Sequence, residues 1–212
     1  FRTATPFIDV PADRPLSVGV ALPNSNTAAD AIANFPVNFA AGKRYVVMAA
    51  GVVGNTGATA FNLFVNDAAR ESASTSGNVD VAVFHGSPDA PAVDVDAVFV
   101  ADNVVSNLGF GKFTGYLELP TAIYDLAIQP AGTNTTVATF RADLSGFGAA
   151  LGCRAATGWE EQRRDLERAT PDGLGRNDGD TTRDVVVLVQ LRAKRAGLQR
   201  STTCGNKLAM LT

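Results

Sequence analysis

The chain is poor in the residues on which disulfide scaffolds and metal proteins depend. Its 212 residues include two cysteines and one histidine, too few for a disulfide framework or a cysteine–histidine zinc site. Long apolar runs are also missing. The longest, from Tyr45 to Val53, is about half the ~20 residues a membrane helix requires, so it reads as a buried strand and no membrane span is expected. No basic segment followed by an apolar stretch opens the chain, so no signal peptide is visible. Neither sign of charge dominates: 18 basic and 21 acidic residues leave a net −3, which excludes an overall basic field for nucleic acid. What is present is apolar content of 46%, with 20 glycines and 10 prolines. That composition describes a turn-rich globular chain with material for a sizeable core.

Composition breaks near Gly152. Of the 18 basic residues 7 precede residue 153 and 11 follow, while the acidic residues divide 13 to 8. Trp159 is the one aromatic of the 16 that lies beyond the break, and both cysteines, Cys153 and Cys204, lie there too. The body is thus acidic and aromatic, and the tail is basic and nearly free of aromatics.

In the body, alternation of apolar and polar residues marks half-buried strands. Leu16–Val20, Val79–Val83, Val93–Asp96 and Tyr124–Ile128 alternate, and Tyr45–Ala50 and Phe61–Val65 are further strands. Turn signals separate them at Pro23–Asn26, Ala41–Lys43, Gly54–Gly57, Ser87–Pro91 and Pro130–Asn134. Short strands so spaced predict an all-β, antiparallel β-sandwich of the immunoglobulin or transthyretin kind. Ala28–Asn34 is the one helical-turn candidate of the body.

An internal repeat is visible. Phe7-Ile8-Asp9-Val10-Pro11 matches Tyr116-Leu117-Glu118-Leu119-Pro120 in order of residue types. Each is followed by an alternating strand, a polar turn and a phenylalanine, Phe35 or Phe140. A proline at the strand end is physically apt, because it cannot donate to a ladder.

The stretch Val81-Ala82-Val83-Phe84-His85-Gly86-Ser87-Pro88-Asp89-Ala90-Pro91-Ala92-Val93-Asp94-Val95 is the most specific in the chain. Together with Asn107–Gly111, Thr114–Tyr116, Leu119-Pro120 and Pro130–Thr133, it resembles a bacterial exported family, domain of unknown function 4397. The resemblance covers residues 79–147, with residues 1–66 similar to the later part of a preceding copy through Ala41-Gly42-Lys43-Arg44-Tyr45-Val46-Val47. It implies tandem β-sandwich modules on secreted or surface proteins and carries over no catalytic residue. The organisation expected is a C-terminal part of a first module at 1–75 and an N-terminal part of a second at 79–147. The family pattern stops after Phe147, so 148–212 is either a divergent extension or the product of a frameshift.

The candidate chemistry is sparse. His85 is a potential base or ligand, but Pro88 and Pro91 stiffen the segment that carries Ser87 and Asp89. A histidine at a strand end, bonded to the following turn, is the expected role. Asp89, Asp94 and Asp96 are weak calcium candidates: Asp94 and Asp96 share a strand face and Asp89 sits in the preceding turn, yet no calcium-loop spacing is present. A solvated polar face is the alternative, and a paired-carboxylate glycosidase would need the same residues. Leu108-Gly109-Phe110-Gly111-Lys112 lacks phosphate-loop spacing and predicts a turn or bulge.

No catalytic, cofactor-binding or firm metal residue is therefore expected, and no cofactor. The function expected is a non-enzymatic, extracytoplasmic structural or ligand-presenting module, its partner a surface protein or glycan. The alternatives are a calcium-dependent adhesion module and a carbohydrate-active enzyme. The tail is expected to be poorly ordered or weakly helical, with a short charged helix at Trp159–Arg168, and to add little stability. Val185–Val189 is the one run in it able to dock on a sandwich edge.

Overall fold

The structure, a computed structural model, describes residues 4–22, 24–147, 187–194 and 207–211. The strands of the first repeat are β1 (Ala4–Pro11), β2 (Pro15–Ala21), β3 (Ala31–Asn38), β4 (Arg44–Ala50) and β5 (Asn62–Asn66). Those of the second are β6 (Asn78–His85), β7 (Val93–Ala97), β8 (Ala101–Leu108), β9 (Leu117–Pro120), β10 (Ile123–Pro130) and β11 (Ala138–Asp143). The tail contributes β12 (Val187–Lys194) and β13 (Lys207–Leu211). The fold is all-β and sandwich-like, its strands ordered β1-β12-β4-β5, β11-β10-β7-β8 and β13-β6-β9, with β2-β3 as a ribbon.

The sequence repeat is a structural repeat. β2 pairs antiparallel with β3 as β10 does with β11; Phe35 lies opposite Val18 in one pair and Phe140 opposite Leu126 in the other. The repeated phenylalanine thus marks one ladder position. The copies differ in what lies beside them. β10 carries β7 on its other edge, whereas β2 pairs with β3 alone among the described residues.

Strand periodicity places the core. In β4 and β6, successive side chains point to opposite faces, and both faces of each strand meet apolar neighbours. Val46, Met48 and Ala50 of β4 pack with Ala69 and with Phe84 of β6, flanked by Phe64, Phe110 and Phe113. Tyr45 and Val47, on the other face of β4, pack with Phe39 beside Val10, Leu16 and Val37. From the other face of β6, Val79, Val81 and Val83 join the largest core, with Val93, Val95, Leu108, Tyr124 and Ile128. The half-buried strand expected at Val79–Val83 is therefore buried on both sides. Rings join the repeats: Phe84 stands 5.5 Å from Phe64 and 4.6 Å from Phe113. Gly111 sits at φ 73° in the turn foreseen after β8, and a Cβ there would run into the Phe64 ring.

Three expectations are corrected. Ala28–Asn34 is helical only as a 3-10 turn over Ala28–Asp30, which the Asp30 carboxylate closes by accepting the N–H groups of Asn26 and Thr27; β3 starts at Ala31 because its residues alternate in burial. β8 was not legible, since Ala-Asp-Asn-Val-Val-Ser-Asn-Leu does not alternate. Its register against β7 shifts twice, between the pairs at Val93, Val95 and Ala97, so bulges break the period. The third correction concerns the tail, which was expected to be unstructured or weakly helical. β12 lies between β1 and β4, parallel to the first and antiparallel to the second, and β13 runs parallel to β6.

The physical reason for the third correction is that strand edges at β1, β4 and β6 require backbone partners. A count of aromatics measures side-chain burial and is blind to this demand. With β1 matched to β9 by the repeat, β12 occupies beside β1 the place that β6 holds beside β9, in the opposite direction. β13 occupies beside β6 the place of β4 in the first sheet. The helix expected at Trp159–Arg168, and both cysteines, lie outside the described residues.

Candidate functional site

The D-x-D pair of β7 is a clamp for the neighbouring loops. Where β8 bulges, Asn103 and Asn107 adopt φ of 51° and 50°, and each has a backbone N–H turned from the regular ladder. Asp96 Oδ1 accepts the Asn103 N–H and Asp94 Oδ1 the Asn107 N–H, both at 2.6 Å. The second oxygens face the opposite side: Asp94 Oδ2 accepts the Gly132 N–H at 2.8 Å and Asp96 Oδ2 accepts Gln129 Nε2 at 2.7 Å. The N–H groups of Asn107 and then Gly132 hold the Asp94 carboxyl below its ordinary range. Asp89 is exposed in the loop before β7. No group of three or more His, Cys, Asp or Glu able to hold a metal occurs among the described residues. A cation at Asp94 and Asp96 would have to displace all four N–H donors.

His85 ends β6 and is 1% exposed. Its Nε2 lies 2.9 Å from the Pro91 carbonyl and its Nδ1 accepts the Ser87 N–H at 3.3 Å. A carbonyl only accepts, so the proton sits on Nε2 and the ring is neutral with both nitrogens occupied. The ring ties the strand to the Ser-Pro-Asp-Ala-Pro loop. Ser87 meets it through its backbone, not its hydroxyl.

A family model described as a domain of unknown function, DUF4397, matches residues 1–96 and again 79–147. The chain belongs to the DUF4397 family. The two matches share 79–96, the segment containing β6, the strand that packs against both repeats. No curated protein and no solved structure matches the chain.

The DUF4397 motif residues thus serve as local fasteners, and their product is a stiffened β7–β8 hairpin. Its tip turns through a Val100 N–H to Ala97 carbonyl bond of 2.8 Å. Phe99 occupies the left-handed region at φ 62° and is fully exposed, as Val100 largely is. A bulky aromatic at such a backbone position is an outlier costing about 1–3 kcal/mol.

Sequence reasoning missed a buried charge group between the repeats. Asp80, on β6, is 0% exposed; its Oδ2 pairs with Arg70 Nη1 at 3.1 Å and its Oδ1 has no partner. The Arg70 guanidinium lies 5.2 Å from the centre of the Tyr116 ring, and the Arg70 N–H donates to Tyr116 Oη at 3.1 Å. Burial pushes the Tyr116 hydroxyl above its ordinary value. Arg44 Nε pairs with the buried Glu71. A signal was available: the period-2 mates of Asp80 are Ala82 and Phe84, so the supposed polar face of β6 holds one polar residue.

Proposed function

We propose that this protein is a non-enzymatic, extracytoplasmic module that presents a binding tip to a surface protein or glycan. The observation that carries the reading is the clamped β7–β8 hairpin with the exposed, strained Phe99 at its end. Strain persists where surrounding structure holds it, and it gathers at binding sites. Here Asp94 and Asp96 supply the hold, which accounts for their acidity without assigning them chemistry. An apolar tip on a rigid hairpin loses little entropy on docking. Extracytoplasmic placement rests on the resemblance to exported proteins.

The test is a glycan array and a surface-protein binding screen run beside a broad hydrolase screen. Binding that is lost in Phe99→Ser, with the melting temperature unchanged or raised, supports the reading. Turnover that disappears in Asp94→Asn or Asp96→Asn overturns it, as does binding indifferent to Phe99.

A further inference from the structure

The two copies of the repeat offer a control within one molecule. In the second, the ribbon β10-β11 grows into the sheet β11-β10-β7-β8, and β10 is interior. In the first, the ribbon β2-β3 stops at two strands among the described residues, so the edge of β2 that corresponds to the β7 side of β10 is open. β2 nevertheless has the sequence of an interior strand. Pro15-Leu16-Ser17-Val18-Gly19-Val20-Ala21 carries no charge. Other outer strands carry the usual guards against pairing: Pro36 in β3, Glu118 and Pro120 in β9, Asp102 and the bulges in β8, Arg141 and Asp143 in β11.

We infer that the open edge of β2 binds the same edge of a second copy of this chain, antiparallel, about a two-fold axis near Val18. Three observations select this occupant. The missing strand must run antiparallel to β2, as β7 does to β10, and a two-fold pairing of identical strands is antiparallel by construction. It must alternate, and β2 does: Leu16, Val18 and Val20 point inward while Ser17 and Gly19 are exposed. Centring on Val18 sets Leu16 opposite the partner's Val20, so the apolar face continues across the axis. The product, β3-β2-β2-β3, has four strands, the number in the complete sheet of the second repeat. Each copy has the same open edge, so the contact closes as a dimer. This inference stands apart from the proposed role of Phe99.

The experiment uses the full chain. Sedimentation over about 5 to 500 µM, the range of weak and transient interfaces, is combined with hydrogen exchange at both ends of that range. A monomer–dimer equilibrium is expected, with residues 15–21 gaining protection at high concentration and interior β10 unchanged. Ser17→Lys provides the specific check. Ser17 is exposed, so the fold tolerates it, and the two lysines lie diagonally across the axis at about 7–8 Å. Their repulsion should weaken the dimer about threefold at low salt and relax as salt is added. A monomer throughout overturns the inference. So does a dimer protected elsewhere, such as at 98–100, or one indifferent to Ser17→Lys at low salt. Concentration-independent protection of 15–21 would show instead that the same chain covers the edge.

Discussion

Phe84→Ala tests whether the two repeats share one core. Phe84 is fully buried and its ring touches those of Phe64 and Phe113. Removing a buried phenylalanine side chain costs about 3–5 kcal/mol through lost transfer energy and a residual cavity. A domain of this kind has about 5–15 kcal/mol in all, so the variant should remain folded but lose a large share. The informative quantity is the coupling to Phe64, which belongs to the other repeat. Aromatic pairs contribute about 0.5–1.5 kcal/mol beyond burial, so the cycle of Phe64→Ala, Phe84→Ala and the double variant should return a coupling of that size. Val83→Ala, on the opposite face of β6, serves as control; with Phe64→Ala it should add within about 0.5 kcal/mol. Urea unfolding followed by fluorescence and circular dichroism reads each value. Additivity between Phe64 and Phe84, or separate transitions in the parent chain, would refute the shared core.

Three further outcomes follow from the same contacts. Truncation after Phe147 removes β12 and β13, separating β1 from β4 and baring an edge of β6; the product should melt lower and aggregate on heating in light scattering, and an unchanged melting curve would contradict the sheet order. Asp94 has a lowered carboxyl pKa in the fold, so its stabilisation is present above the unfolded value near 3.8 and is lost as pH falls through the lower folded value. Asp94→Asn should therefore flatten the acid limb of the melting temperature below that pH, and an acid limb as steep as the parent's would contradict it. Arg70→Ala strands the buried Asp80 and should cost at least about 3 kcal/mol, near the low end for breaking a buried pair because Arg70 is half exposed; replacing both partners by apolar residues should recover most of the loss in urea titrations.

What could be read from the sequence was decided by periodicity. Leu16–Val20, Val93–Asp96 and Tyr124–Ile128 each have one apolar face, and each lies in a strand where expected. The repeat was legible because Phe35 and Phe140 occupy one ladder position. β8 was hidden by its bulges, whose unpaired N–H groups are the reason Asp94 and Asp96 alternate on β7; the residues that suggested calcium were reporting a neighbouring strand's irregularity. Asp80 was misread because a single aspartate between valines imitates a solvated face. β12 was undervalued because what places it, the unpaired edges of β1 and β4, lies some 140 residues or more away in sequence.

The two-faced burial of β6 also governs how the protein bears strain. A hinge requires a seam that can open without exposing core, and between these repeats Phe84 and its neighbours close that seam. Bending one repeat against the other would pull apolar surface into water, so the pair resists as a stiff bar rather than as beads on a string. The tip at Phe99 and the edge of β2 are then held at a fixed span and angle. A tug applied at one is delivered to the other as displacement, not absorbed as slack.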